Sequence, residues 1–400
     1  MPMLHRFSRL GSAFLSSFSP ACCGRFQPRY DTRAMGQGVD IIGALTRIRP
    51  ERVPRAIDGA SLRHVLIVKL SSIGDVIHAL PVASALKRRY PSMRITWAVE
   101  RWTAPLVDGH PAIDRVVVFP SMVEWPARPG AWWSEMRAAV RALRLESYDA
   151  ALDLQGLARS AMVSVVSRAP YRIARAGQRE GAHLVSAGVP LPRAAIHAVD
   201  ECLLVAQALG ADVDPVEFGL PVSDATRQSA DRLLEAHGVS GERPLIVVNP
   251  SAARSWKHWP AARWRDVIDR LADAGTIVVI GTASQAPAHR AIVARAVRPP
   301  VDLTGQTTLA EVIALIDRAS LHLAPDTGTV HMAVALGTPV VAVYGPTPRL
   351  RVGPYRQPMS VVAHDDLCGF GCPAYCRHGR RCLGAVTADE VVEKARALLG

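Results

Sequence analysis

The sequence predicts an α/β protein built from two Rossmann-like, doubly wound parallel-sheet domains that face each other across a cleft. Three observations carry this. Short β-branched runs alternate with helix-length amphipathic stretches, the pattern of parallel sheets covered on both faces. The alternation occurs twice, on either side of a turn-rich stretch. The chain has 400 residues, about half of them apolar and one fifth charged, enough for two domains with their own cores.

Residues 1–60 stand apart. They hold nine arginines against four acids, with scattered Ser, Gly and Pro, and predict a flexible basic extension. The apolar stretch at 10–18 is broken by Gly11 and serines and is shorter than a signal-peptide core. A membrane-surface helix is the alternative. At His64 the texture changes, and 64–70 reads as a strand buried on both faces. The loop Ser71-Ser72-Ile73-Gly74-Asp75 follows, then an apolar-periodic helix that Tyr90-Pro91 ends. Strands are predicted at 94–99, 116–119 and 150–154, with an amphipathic helix at 132–145. This first domain spans 61–220. Gly210, Asp214-Pro215 and Pro221 surround one helix near 226–237, and 221–243 is expected to be the linker. The second domain, 244–385, alternates again: strands at 245–248, 276–280, 321–324 and 340–344, with helices at 261–274, 287–296, 309–319 and 330–336. A C-terminal helix is expected in 386–400.

The formal charge of +12, with Arg far above Lys, points to an anionic partner: phosphate, acidic sugar, nucleic acid or membrane surface. No run approaches the eighteen or more apolar residues that span a bilayer. Four of the seven cysteines form a late cluster, Cys368, Cys372, Cys376 and Cys382, with His364 and His378 nearby. Four thiols in so short a stretch suit a structural zinc, but the two-residue knuckle is missing, so reduced or paired structural cysteines are expected instead.

Ligands of doubly wound sheets bind beyond the carboxyl ends of the strands, which singles out three loops. In the first, Gly74 permits close backbone approach and Asp75 lies in the first helical turn. A carboxylate there can take a proton from a sugar hydroxyl, although an acidic first turn is equally what the helix dipole favours. The second is Asp326-Thr327-Gly328-Thr329-Val330-His331, a strand end opening a helix, where small residues suit phosphate contact. Simple capping by Asp326 or Thr327 explains the same pattern. The third, 249–260, places Arg254 and Lys257 where a diphosphate leaving group gathers charge, with Ser251 beside them; a solvated basic loop is the plain alternative.

Together these pieces resemble the ADP-heptose–lipopolysaccharide heptosyltransferases, the bacterial family-9 glycosyltransferases of GT-B fold. The resemblance rests on the block 66–81, on Tyr148 to Gly156, on Lys257-His258-Trp259-Pro260, on Asp326-Thr327-Gly328 with His331, and on Tyr344-Gly345-Pro346-Thr347. Five motifs in order are far more specific than any one of them. The first block is most similar to the heptosyltransferase I group, which adds the first heptose to Kdo-lipid A. The resemblance implies an inverting transfer with Asp75 as catalytic base. It implies donor contacts from Lys257, Arg254, Ser251, Asp326, Thr327, Gly328 and His331, and acceptor contacts from Ser72, Gly74, Arg179 and Gln155. Asp153 and Gly156 belong to a family block that shapes the cleft. It further implies ADP-heptose as donor, a lipopolysaccharide precursor as acceptor, no required cofactor or metal, and a monomer in the cytoplasm, peripheral to the anionic inner face of the inner membrane. This chain departs from the family at Ala252 and Ala253, where hydroxyl residues often precede the donor lysine. The loop at 281–286 has no acidic residue, and the basic stretch after the third strand is reduced to Arg128. Another nucleotide sugar or another surface glycan is the alternative within the family.

Two other classes fit less well. A nucleotide-dependent dehydrogenase or epimerase needs Gly-x-Gly-x-x-Gly after the first strand, which 71–75 lacks. A nucleic-acid-binding protein would group its arginines on one face with exposed aromatics, and here they are spread through helices and the extension. No nucleic-acid partner is expected.

Overall fold

The structure, a computed structural model, describes residues 59–192, 196–364, 367 and 381–400. The predicted basic extension up to residue 58, and Cys368, Cys372, Cys376 and His378, lie outside the described residues.

The first lobe runs β1 (His64–Val68), α1 (Ile73–Arg89), β2 (Arg94–Glu100), β3 (Arg115–Phe119), α2 (Pro129–Leu143), β4 (Ala150–Asp153), α3 (Ala158–Val166), β5 (Tyr171–Ala174), β6 (Ala187–Gly188) and α4 (Ala198–Ala208). Helix α5 (Asp224–Ala236), capped by the Ser223 hydroxyl, leads to the second lobe. That lobe holds β7 (Leu245–Val248), α6 (Ala261–Leu271), β8 (Thr276–Val279), α7 (Ala286–Val293), β9 (Val301–Asp302), α8 (Leu309–Arg318), β10 (Leu321–Pro325), α9 (Gly328–Leu336), β11 (Val340–Val343), β12 (Val361–Val362) and α10 (Ala388–Leu399).

Both sheets are parallel throughout. Their orders are β3-β2-β1-β4-β5-β6 and β12-β11-β10-β7-β8-β9, the same doubly wound arrangement twice. The central strands β1, β7 and β10 are buried along their whole length, as continuous apolar runs require. Helices reverse side between β1 and β4 and again between β7 and β10. The loops leaving these four strands therefore open a crevice at each sheet's switch point. All three loops singled out from the sequence are among them.

Helix α1 packs against α4 within its lobe and against α9 of the other. One apolar cluster continues through both lobes, from Val65 and Leu80 to Leu245 and Val340. Helix α5 packs on α8 of the second lobe through the buried Ala230 and Leu234. Helix α10 packs on α6.

Candidate active site

Strand β1 ends at Val68, and Lys69 follows it into the crevice. Lys69 is buried, and its ammonium donates to the Leu154 carbonyl at 3.0 Å. The Leu70 amide donates to Gln155 Oε1 at 2.8 Å. The loops after β1 and β4 are thus tied together at the switch point. Asp153 builds the second of these loops: its carboxylate accepts from the amides of Gln155 and Gly156 and from the Ser160 hydroxyl. Gly156 takes the left-handed backbone that this turn needs, with φ +70°.

Ser72 is the N-cap of α1 and Asp75 sits in its first turn. One carboxylate oxygen of Asp75, Oδ2, accepts from the Ser72 hydroxyl at 2.8 Å and its amide at 3.3 Å. The other, Oδ1, lies 4.0 Å from the Lys69 ammonium, and the side chain stays 56% exposed. Crowding by the surrounding protein pushes the carboxyl up. Lys69 and the two Ser72 donors outweigh this and hold it below the ordinary carboxylate range. The group is an anion at neutral pH with one oxygen uncommitted to the cap.

Across the cleft, Asp326 follows β10 and is buried. It accepts the Lys257 ammonium at 2.6 Å. Lys257 ends a helical turn in the loop after β7 and also lies over the Trp256 ring at 5.2 Å. Thr327 stands at the N-cap position of α9 without a side-chain cap bond, and with Gly328 it brings the start of that helix, whose first-turn amides have no partner within the helix, to the crevice. His331, one turn in, is buried, and its Nδ1 meets Nε2 of His78 from the first lobe at 3.1 Å. Burial lowers His331 to about 4, and burial with its histidine neighbours puts His78 well below its ordinary value, so both rings are neutral at pH 7.

Two glycines let the lobes meet. A Cβ on Gly74 would lie 2.7 Å from the His331 ring, and one on Gly328 would lie 2.5 Å from Ile73. Two cavities flank this contact. One, of about 300 Å³, is lined by Ser72, Gly74, Trp102, Arg254, Lys257, Asp326, Thr327, Gly328 and His331. The other, of about 420 Å³, is lined by Lys69, Arg175, Arg179, Glu201 and Arg351. Asp75 and His78 belong to both. Asp75 therefore stands where the two spaces join.

Most of the residues singled out from the sequence gather here, and two have a side-chain oxygen committed within the fold. Ser251 is buried with its hydroxyl on His289 Nε2 at 2.7 Å, because an interior hydroxyl must find a partner. Gln155 commits its carbonyl oxygen to Leu70 and braces the loop. Arg179 lines the larger cavity only. Of the cysteine cluster, Cys382 is described and is buried in the second lobe's core. Sequence reasoning passed over Lys69, Trp102, Arg175, Glu201 and Arg351. Lys69 had a signal, a lone cation inside an apolar strand run. The others gain their place only through the fold.

The sequence profile of Glycosyltransferase family 9 (heptosyltransferase) matches residues 136–369. Lipopolysaccharide heptosyltransferase 1 of Salmonella typhimurium is 30% identical over 307 residues, covering 73% of this chain and 91% of that protein. The protein of the same name from Pseudomonas aeruginosa is 31% identical over 321 residues, covering 76% and 84%. Among solved structures, the glycosyl transferase family 9 from Veillonella parvula superposes with a TM-score of 0.72 at 21% identity, covering 86% of this chain and 99% of that one, and shows the fold. E. coli heptosyltransferase WaaC with ADP gives a TM-score of 0.65 at 25% identity, covering 84% and 99%. Two parallel-sheet lobes meeting over such a crevice are the GT-B fold, and with the family match they define a glycosyltransferase of that fold. More narrowly, the chain belongs to glycosyltransferase family 9, the heptosyltransferases.

Proposed function

We propose that the chain transfers a heptose from ADP-heptose to Kdo-lipid A, with inversion at the anomeric carbon and Asp75 as base. The observation that carries this is the position of Asp75 at the junction of the two cavities. The names of the relatives support the sugar and the acceptor pathway, as does the solved E. coli heptosyltransferase WaaC with ADP-2-deoxy-2-fluoro heptose. The donor takes the smaller cavity, beside Lys257, Arg254 and the first turn of α9; the acceptor takes the larger. Asp75 accepts the proton of an acceptor hydroxyl while that oxygen bonds to the anomeric carbon. The bond from that carbon to the diphosphate breaks on the opposite face, and ADP leaves with the electron pair. Lys257 has donors beyond the one on Asp326, and with Arg254 and the α9 amides it meets the growing phosphate charge. These protein cations supply the leaving-group stabilisation, so the reaction runs in the presence of EDTA.

Incubation with ADP-heptose and Kdo-lipid A should release ADP, and other nucleotide sugars should not. ADP release from a different donor with equal efficiency would move the chain to another branch of the family.

We place the enzyme at the cytoplasmic face of the inner membrane as a monomer. Its +12 charge suits an anionic surface, its proposed acceptor is a lipid, and no helix among the described residues is long and apolar enough to cross a membrane. Co-sedimentation with anionic vesicles, lost at high salt, and light scattering at the monomer mass check this.

A further inference from the structure

The larger cavity is lined by four cations and two carboxylates. Lys69, Arg175 and Arg179 come from the first lobe, and Arg351 comes from the second, in the short helical segment after the Tyr344-Gly345-Pro346-Thr347 motif. Asp75 and Glu201 leave a surplus of two positive charges. Glu201, buried on α4, holds Arg351 across the lobe boundary. Its Oε1 accepts from Arg351 Nε at 2.9 Å and its Oε2 from Arg351 Nη2 at 3.0 Å, while Arg175 also donates to Oε2. A buried carboxylate needs such partners, and the bidentate pair fixes the plane of the guanidinium. It uses only one edge. Arg351 Nη1 takes no part in these bonds, and the side chain is 48% exposed. An arginine carries five N–H donors, so the free edge can hold a second anion. Arg179, exposed on the same wall, makes no ion pair among the described residues.

We propose that Arg351 is a specificity-determining residue for the acceptor: held in place by Glu201, it reaches from the donor-binding lobe and grips a carboxylate of the acidic sugar. The proposal rests on the acceptor reading given above. Glu201 is the positioning residue, and Arg179 faces the same anion from the other lobe. Acceptor affinity then depends on both lobes being together, so a bound acceptor favours the arrangement in which Asp75 meets the donor.

The test is steady-state kinetics on the full chain with Kdo-lipid A and with Kdo-lipid A whose Kdo carboxylates are methyl esters. Wild type, Arg351→Ala and Arg351→Lys are compared, with ADP affinity by calorimetry and Tm measured alongside. With the acid acceptor, Arg351→Ala should raise KM roughly 10- to 100-fold, as expected for a lost charge-assisted hydrogen bond. Affinity for ADP should not change, and Arg351→Lys should recover part of the loss. With the ester, wild type and Arg351→Ala should share one KM. An unchanged KM, an equal rise with acid and ester, or a matching rise in the ADP Kd would reduce Arg351 to a tie between lobes and overturn the proposal. If Arg351→Ala does not fold, wild type against Arg351→Lys on acid and ester carries the same comparison. A wild type that does not turn over Kdo-lipid A overturns the acceptor reading and this inference with it. An active wild type that the variants match overturns this inference alone.

Discussion

Asp75 divides two jobs between two oxygens. Oδ2 is held by the Ser72 hydroxyl and amide, and Oδ1 faces the Lys69 ammonium and the cavity. Asparagine has the same shape and retains an oxygen for the cap, but it accepts no proton. Asp75→Asn should therefore lower kcat by about 10²- to 10⁴-fold, the range for a lost general base, while ADP affinity and Tm stay near wild type. Turnover kept within tenfold would remove Asp75 from the chemistry. The Lys257–Asp326 pair makes a different demand. Lys257→Ala leaves the buried Asp326 carboxylate without its cation, which should cost about 2 kcal/mol, less than a fully buried pair because Lys257 is partly exposed. Adding Asp326→Asn should recover the Tm lost in Lys257→Ala, because the orphaned charge is gone. It should not recover turnover, because the cation that meets the diphosphate is still missing. Denaturation and kinetics on the single and double variants separate these two effects.

Elements, not single side chains, set how closely the lobes approach. Helices α1 and α9 meet end to end through Gly74 and Gly328, each with no room for a methyl group. Gly328→Ala would drive a Cβ into Ile73 and should cost about 1–3 kcal/mol of overpacking along with activity; adding Ile73→Ala should relieve part of both. Activity unchanged in Gly328→Ala would mean that the helix ends are free to separate. The elements behind this contact were legible in the sequence because they are long apolar runs or strongly periodic. The runs read as strands at 64–70, 245–248 and 321–324 match the buried strands β1, β7 and β10 to within two residues at their ends, and the loops after them were readable as sites. Helix α2 begins three residues before its amphipathic stretch was predicted to start, since Pro129 suits a first helical turn. Strands β6, β9 and β12 have two residues each and leave no period to detect. Helix α3, rich in Ser and Val, carries little helix propensity of its own and forms because it packs over β4 and β1. The contacts that complete the site, Glu201 with Arg351 and His78 with His331, join residues 150 and 253 positions apart. Only the repeated doubly wound topology brings them together. Ser251 shows the opposite limit, since its loop was readable but the buried His289 that claims its hydroxyl was not.

The molecule as a whole holds several histidines neutral, and this fixes how it responds to acid. His322 is fully enclosed and His331 is buried at the cavity wall, and burial lowers each to about 4; His78 lies well below its ordinary value, chiefly for the same reason. An unfolded chain would titrate these rings near 6.5. Between those values the unfolded state binds more protons than the folded one, so stability is full above pH 6.5 and falls as pH drops toward 4. Each of His331 and His322 contributes on the order of 3 kcal/mol to that loss. The two differ in where they act. His322 bonds the Val247 carbonyl within the second lobe, so its protonation loosens that lobe. His331 meets His78 across the crevice, in a contact shared by Gly74, and once both rings are charged they repel each other where the lobes touch. Urea midpoints measured from pH 7.5 to 4.5 should fall steeply below 6.5 in the wild type. His331→Gln should flatten part of that slope and His322→Gln another part. Low-pH loss of ADP binding ahead of global unfolding should persist in His322→Gln and disappear in His331→Gln, because only the second histidine sits at the lobe contact. A midpoint that holds steady across this range would show that the enclosed rings titrate as they do in water, and the neutral histidine contact between the lobes would fall with it.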